Sequence, residues 1–268
     1  MIAEIYGKIS RSGSNLSERL EYKLTGDIFG ALRYLPAEMF LLPFIRKAYW
    51  INPNTHKYKT LKFDSSSEPE VVFWPSNYPN IEPDVEITGT ETGLKVKIFI
   101  EVKYKSGLSS DDKPGEEILP TESNNQLFRQ IRVLDNDVEC HKKILIFLTE
   151  DGSYPKEIMD RVSKLIENRK MSSTRLYWLS WNETTSLAAK LLSRELSIFE
   201  RRIIKNIKQL CIRKGFKRYK YHPPAILPCW KFVSQFNKNI STPSQLFHFS
   251  HFSTYQCLIH SQWSFCNE

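Results

Sequence analysis

Residues 81–105 read IEPDVEITGTETGLKVKIFIEVKYK, and their pattern decides how the chain folds. Val85 and Ile87 alternate with Asp84, Glu86 and Thr88. Further on, Val96, Ile98, Ile100 and Val102 alternate with Lys97, Phe99, Glu101 and Lys103. Alternation of this kind predicts strands with one face in a core, because successive side chains on a strand point to opposite faces. Gly89 and Gly93 supply the backbone freedom that a reversal needs. A hairpin centred between Thr92 and Gly93 sets Asp84 opposite Glu101, on the face away from the Val/Ile set. Lys103, two residues on, shares the face of Glu101.

Facing side chains on paired strands have Cβ atoms roughly 5 Å apart, so two carboxylates there repel. A divalent cation held by oxygen ligands turns that repulsion into attraction. The ammonium of Lys103 beside it could orient a water or offset charge building on a phosphate. Pro83-Asp84 followed by Glu101-Val102-Lys103 resembles the signature of the PD-(D/E)xK nuclease superfamily. The resemblance runs over about residues 15–181. It implies an α/β fold of the restriction-endonuclease type, a mixed central sheet flanked by helices. It also implies a nuclease that depends on Mg2+ (or Mn2+) and hydrolyses phosphodiester bonds in DNA, with RNA left open. Asp84 and Glu101 would hold the metal, with the backbone carbonyl of Val102 as a further ligand, and Lys103 would position the water. By the same resemblance the setting would be prokaryotic restriction or anti-phage defence. The chain would then act alone, as a homodimer, or as the cutting subunit beside a partner of the defence system.

Two flanking helices extend this resemblance. Leu16, Leu20, Leu24, Ile28 and Leu35 predict a helix from about Asn15 or Ser17 to Leu35, and Glu21 falls inside its apolar stripe. An inward carboxylate needs a partner. Many superfamily members complete the metal site with a glutamate on this helix, which points to Glu21, although Asp27 also lies near the stripe. The run Ala37 to Trp50 reads as a short second helix interrupted by Pro43. A helix over 122–138 carries Leu127, Ile131, Leu134 and Val138 as its stripe, flanked by Gln126 and Gln130 one turn apart. These two resemble the superfamily glutamine near the scissile phosphate. Arg129, and Lys105 and Ser106 on the polar loop 104–121, are candidate phosphate contacts.

Lys143 to Thr149 is a continuous apolar run, hence a strand buried on both faces, and Arg175 to Trp181 predicts another, with a helix from Tyr154 to Asn168 between them. Residues 1–182 are thus the expected nuclease-like core, and 183–268 an extension. Its first part, 183–214, reads as one long helix or two. From Arg194 to Lys220 there are ten Lys/Arg against Glu195 and Glu200, so Arg201, Arg202 and Lys205 are candidates for a DNA-tracking face. The tail from Tyr221 has charge only at Lys231, Lys238 and Glu268. Its His248, His251, Cys257 and His260 are metal-ligand types, but the spacing is not that of a standard zinc site. Packing against the domain or a second copy is the plainer reading.

The remaining bounds come from composition. Net charge is +8, which suits a polyanionic partner. Neither a leader-like N-terminus nor an apolar run of about 20 residues is present, so a cytoplasmic protein without membrane contact is expected. There is no Walker-type or dinucleotide-type glycine loop and no nucleophile elbow. The rival of another class is a nucleic-acid-binding or scaffold protein that keeps the fold without catalysis. Facing carboxylates argue against it, since a binding module has no use for them.

Overall fold

The computed structural model describes residues 17–111, 123–168 and 173–216. The 221–268 tail with its His/Cys spacing, Leu16, and residues 112–121 of the polar loop lie outside the described residues.

The hairpin forms at the expected register. Strands β4 (Val85–Glu91) and β5 (Leu94–Val102) pair antiparallel with Glu91 facing Leu94 and Val85 facing Ile100. Thr92 and Gly93 both have positive φ, 52° and 83°, the two-residue turn whose twist matches that of the strands it joins. Around this hairpin lies a seven-stranded mixed sheet in the order β2-β1-β7-β6-β5-β4-β3. The other strands are β1 (Tyr49–Ile51), β2 (Tyr58–Thr60), β3 (Glu70–Phe73), β6 (Lys142–Thr149) and β7 (Arg175–Ser180). β5, β6 and β7 run parallel. Parallel neighbours need a crossover, and helices α3 (Gln126–Asn136) and α4 (Lys156–Asn168) supply the two.

Side-chain alternation sorts the two faces. Ile98, Ile100, Val102, Ile144, Ile146 and Leu148 point to one core, shared with Leu24 and Ile28 of α1 (Ser17–Leu32) and Phe44 of α2 (Leu41–Ile45). Phe99, Leu145 and Phe147 point to the other, under Leu127, Ile131 and Met159 of α3 and α4. The run Lys143 to Thr149 is apolar throughout because β6 is covered on both faces.

Three expectations need correction, and the choice of one helix or two over 183–214 is resolved. The run Ala37 to Trp50 is helical only over Leu41–Ile45; Tyr49, Trp50 and Ile51 form β1, which pairs with β2 and, at Trp178, with β7. Aromatic and β-branched residues suit a strand more than a helix. Val138 is 92% exposed, because α3 ends at Asn136 and the stripe ends with it. The segment 183–214 is two helices, α5 (Asn182–Leu192) and α6 (Ile198–Lys214), and Ile198 is exposed at the start of the second. A capping box between Ser197 and Glu200 starts α6, and Gly215 at φ 89° ends it. The expected boundary at 182/183 also falls inside one compact unit. Ala188, Leu191, Ile204, Ile207 and Leu210 share the core of Leu24 and Ile28. Among the described residues no helix is long and apolar enough to cross a membrane.

Candidate active site

The site lies where β5 and β6 end, at the start of β4, on the crevice side of parallel strands where ligands commonly bind. Continuing the pairing of Val85 with Ile100 by one residue sets Asp84 against Glu101. Asp84, Glu101, Lys103 and Glu21 are 5%, 1%, 6% and 8% exposed. Four ionisable side chains buried together are costly unless each finds partners.

The partners are specific. Asp84 Oδ2 accepts from the Val102 amide at 2.8 Å. Lys103 Nζ lies 2.5 Å from Glu101 Oε1 and 3.4 Å from Glu21 Oε1. Gln126 Nε2 donates to Glu101 Oε1 at 2.7 Å, and Gln130 Nε2 to Glu101 Oε2 at 2.5 Å. Asn125 caps α3 by accepting from the Phe128 amide at 3.0 Å. The cap leaves Gln126 in the first turn and Gln130 one turn later, over the same carboxylate. Glu21 Oε2 accepts from the Tyr104 amide at 2.9 Å and from the Ser106 hydroxyl. Glu21 is inward, as its place in the stripe predicts. Asp27 instead pairs with Lys23 of its own helix.

This arrangement carries three carboxylates against one ammonium. Burial and then the Glu101 charge push the Asp84 carboxyl up to about 8, well above the ordinary aspartate range. Burial also raises Glu101, against the pull of Lys103 and Gln130. Both Glu101 oxygens already accept N–H donors, whereas the one hydrogen bond to Asp84 among the described residues goes to Oδ2. These hydrogen bonds favour the ionised form of Glu101 over that of Asp84. Burial acts to lower Lys103, but Glu101, then Glu21 and Asp84, outweigh it, and its ammonium is held charged.

Asp84, Glu101 and Glu21 together leave a surplus of carboxylate over the one ammonium of Lys103. Among the described residues no three His, Cys, Asp or Glu side chains converge as an all-protein cage. Mg2+ asks for less: one or two carboxylates, with water and substrate phosphate completing the shell. Asp84 and Glu101 fit that requirement. Glu21 faces Lys103, the Tyr104 amide and the Ser106 hydroxyl, so its place suits holding the lysine more than joining a common ion. Val102 offers Asp84 its amide.

The other expected residues are more scattered. Arg129 Nη2 donates to the Asn80 carbonyl at 2.6 Å, which ties α3 to the loop before β4. Arg201 donates to the Leu192 and Arg194 carbonyls, and so closes the α5–α6 turn. Arg202 and Lys205 are exposed on α6. These three lie in the first half of α6, and it is the last turn that reaches the site. Lys214 Nζ sits 5.3 Å from the Tyr104 ring centre, and Lys105 Nζ sits 5.4 Å from the same ring. At about 1.5 Å rise per residue, Arg201 is some 20 Å back along the helix. Tyr104 is fixed edge-on to Phe216, which stacks on Trp181. Tyr22 and Trp74 also border the acids, and nothing in the periodicity of α1 or in the loop before β4 marks them. Comparison of the chain with protein-family models, with curated proteins and with solved structures finds no match.

Proposed function

We propose that the chain is a metal-dependent nuclease of the restriction-endonuclease-like type that hydrolyses phosphodiester bonds, most simply in DNA. The observation that carries this reading is the buried pair of Asp84, just before β4, and Glu101 on the facing strand β5, with Lys103 charged beside it. The order of a helix, an antiparallel hairpin bearing the acids, and two helical crossovers to parallel strands supports the same reading. A structural hairpin gains nothing from two buried acids in opposition.

Asp84 and Glu101 would hold Mg2+ or Mn2+, with the Val102 carbonyl as an additional oxygen. The bound ion would polarise a phosphoryl oxygen and lower the pKa of a water. Lys103 stabilises charge growing on the phosphate and orients the attacking water. Glu21 keeps that ammonium in place by accepting from it and by tying down Tyr104 and Ser106. Gln126 and Gln130 fix the Glu101 carboxylate so that it need not reorganise during the reaction.

The test is cleavage of linear, circular and single-stranded DNA and of RNA, with Mg2+ and with Mn2+. Cutting by the wild type and none by Lys103→Ala supports the enzyme. Binding without cutting under both metals would mean a nucleic-acid-binding module on this fold.

A further inference from the structure

Beside the acid pair the surface carries an aromatic rim for which the core has no need. Tyr22 follows Glu21 on α1 and is 47% exposed. Its ring stands edge-on to Trp74 with centres 5.9 Å apart, and Trp74 in turn touches Phe73 at 5.6 Å. Trp74 is tied to the site itself, since its amide donates to the Asp84 carbonyl at 3.2 Å. It is held at φ 44°, a region that a bulky side chain rarely adopts, and its buried Nε1–H has no acceptor among the described residues. Gly26, one turn on from Tyr22, lets α1 lie against the indole, where a Cβ would stand 3.4 Å from Cη2. The positive φ and the unpaired N–H mark Trp74 as a position that the surrounding fold holds against local strain.

We propose that Tyr22, backed by Trp74, is a stacking platform for an unpaired nucleobase, so that the site takes single-stranded nucleic acid. Every base has a π-face, so stacking on an exposed ring holds a strand without reading its sequence. A paired base has its faces covered by its neighbours and would have to leave the stack first. A strand whose base rests on Tyr22 brings its phosphate to Asp84, Glu101 and Lys103, and its flanking phosphates to the cations of Lys105 and Lys214. The proposal depends on the nuclease reading for its chemistry but not for its binding.

The experiment measures binding in excess chelator, so that nothing is cut. The probes are a labelled oligothymidylate and an A–T duplex of the same length, titrated against wild type, Tyr22→Phe and Tyr22→Ala. Expected is tighter binding of the unpaired probe, kept by Tyr22→Phe and weakened about five- to 150-fold by Tyr22→Ala with little change for the duplex. Equal binding of both probes by the wild type, or equal weakening of both by Tyr22→Ala, overturns the platform. Unpaired-strand binding that Tyr22→Ala leaves unchanged, with Mg2+-dependent cleavage lost in Lys103→Ala, sinks the platform and leaves the nuclease standing. Unpaired-strand binding through Tyr22, without cleavage under Mg2+ or Mn2+, sinks the nuclease and leaves the platform. Binding of neither probe sinks the platform outright.

Discussion

The open and turn-side halves of the β4–β5 hairpin both carry acids and a lysine on one face, yet they are built to different ends. On the turn side Lys97 lies 2.5 Å from Asp137 and 3.7 Å from Glu86, and the Tyr78 hydroxyl donates to Glu86 at 2.7 Å. Burial there works against the Asp137 carboxylate, but the Lys97 hydrogen bond and charge win and hold it below its ordinary range. At the open end burial wins, and Asp84 and Glu101 are raised. The two halves share strands, face and residue types. They differ in how many acids each lysine serves: Lys97 is shared by Glu86 and Asp137, whereas Lys103 faces Glu101, Glu21 and Asp84, all nearly fully buried. An ion pair that satisfies its members is structure; a buried surplus of carboxylate is a place for something positive, and such surpluses mark functional sites.

Exchanging the lysines breaks the comparison most severely. Lys103→Ala is expected to reduce cleavage by at least about 100-fold, the cost of removing a preorganised charge from a reacting centre. Lys97→Ala should lower stability and leave the cleavage rate of the folded protein near wild type. Rates from single-turnover cleavage, set beside urea midpoints, check both. Equal loss of rate from the two variants would remove the distinction.

Acid strength gives the second contrast, and its sign differs between the halves. Asp84 is raised, so between the ordinary aspartate value of 3.8 and about 8 the folded protein holds a proton that the unfolded chain has released. Stability of the metal-free protein therefore falls as pH rises through that window, by up to about 1.4 kcal/mol per pH unit. Asp137 is lowered, so its contribution is present above the ordinary aspartate value and is lost as pH falls through its folded value. Asp84→Asn should flatten the decline toward pH 8, and Asp137→Asn the decline at the acid side. If a cation takes the place of the Asp84 proton, as the proposed metal site requires, Mg2+ should raise the melting temperature more at pH 8 than at pH 6. Melting curves across pH, with and without the ion, test each part.

Much of the open end could be read in the chain before any coordinates. Alternation set the register, and register alone opposed Asp84 to Glu101 and put Lys103 on their face. The apolar stripe of α1 turned Glu21 inward. Local spacing does not report partners far along the chain. The encounter of Lys214 with Tyr104 depends on how α5 and α6 pack over the sheet. A three-residue strand such as β1 is held by its neighbours rather than by its own pattern. Gln126 and Gln130 were legible as a pair one turn apart, but only the placement of α3 shows that both meet Glu101.

Cations around the site test how far the open end extends. Lys105 and Lys214 flank one tyrosine next to Lys103, and Arg202 is exposed far up α6. If the strand passes the last turn of α6, Lys214→Gln and Lys105→Gln should each lower the salt slope of single-strand binding by about 0.7. Arg202→Gln should leave it unchanged. A reversed outcome would restore the start of α6 as the tracking face.

The smallest expected effect lies at the turn itself. Thr92 is exposed and β-branched, yet it sits at φ 52°, eased only by its hydroxyl donating to the Glu91 carbonyl at 2.7 Å. Asparagine tolerates this conformation far better and, before glycine, is the preferred partner in such turns. Thr92→Asn should therefore stabilise by roughly 0.5–1 kcal/mol, as a higher urea midpoint at unchanged slope. Strand residues rise about 3.4 Å each, so the turn stands some 25 Å from Asp84. At that separation the effects of Thr92→Asn and Asp84→Asn should add to within about 0.5 kcal/mol, and Thr92→Asn should not alter cleavage. Coupling between the two would mean that the halves of the hairpin are one mechanical unit, and that the turn helps to hold the acids in place.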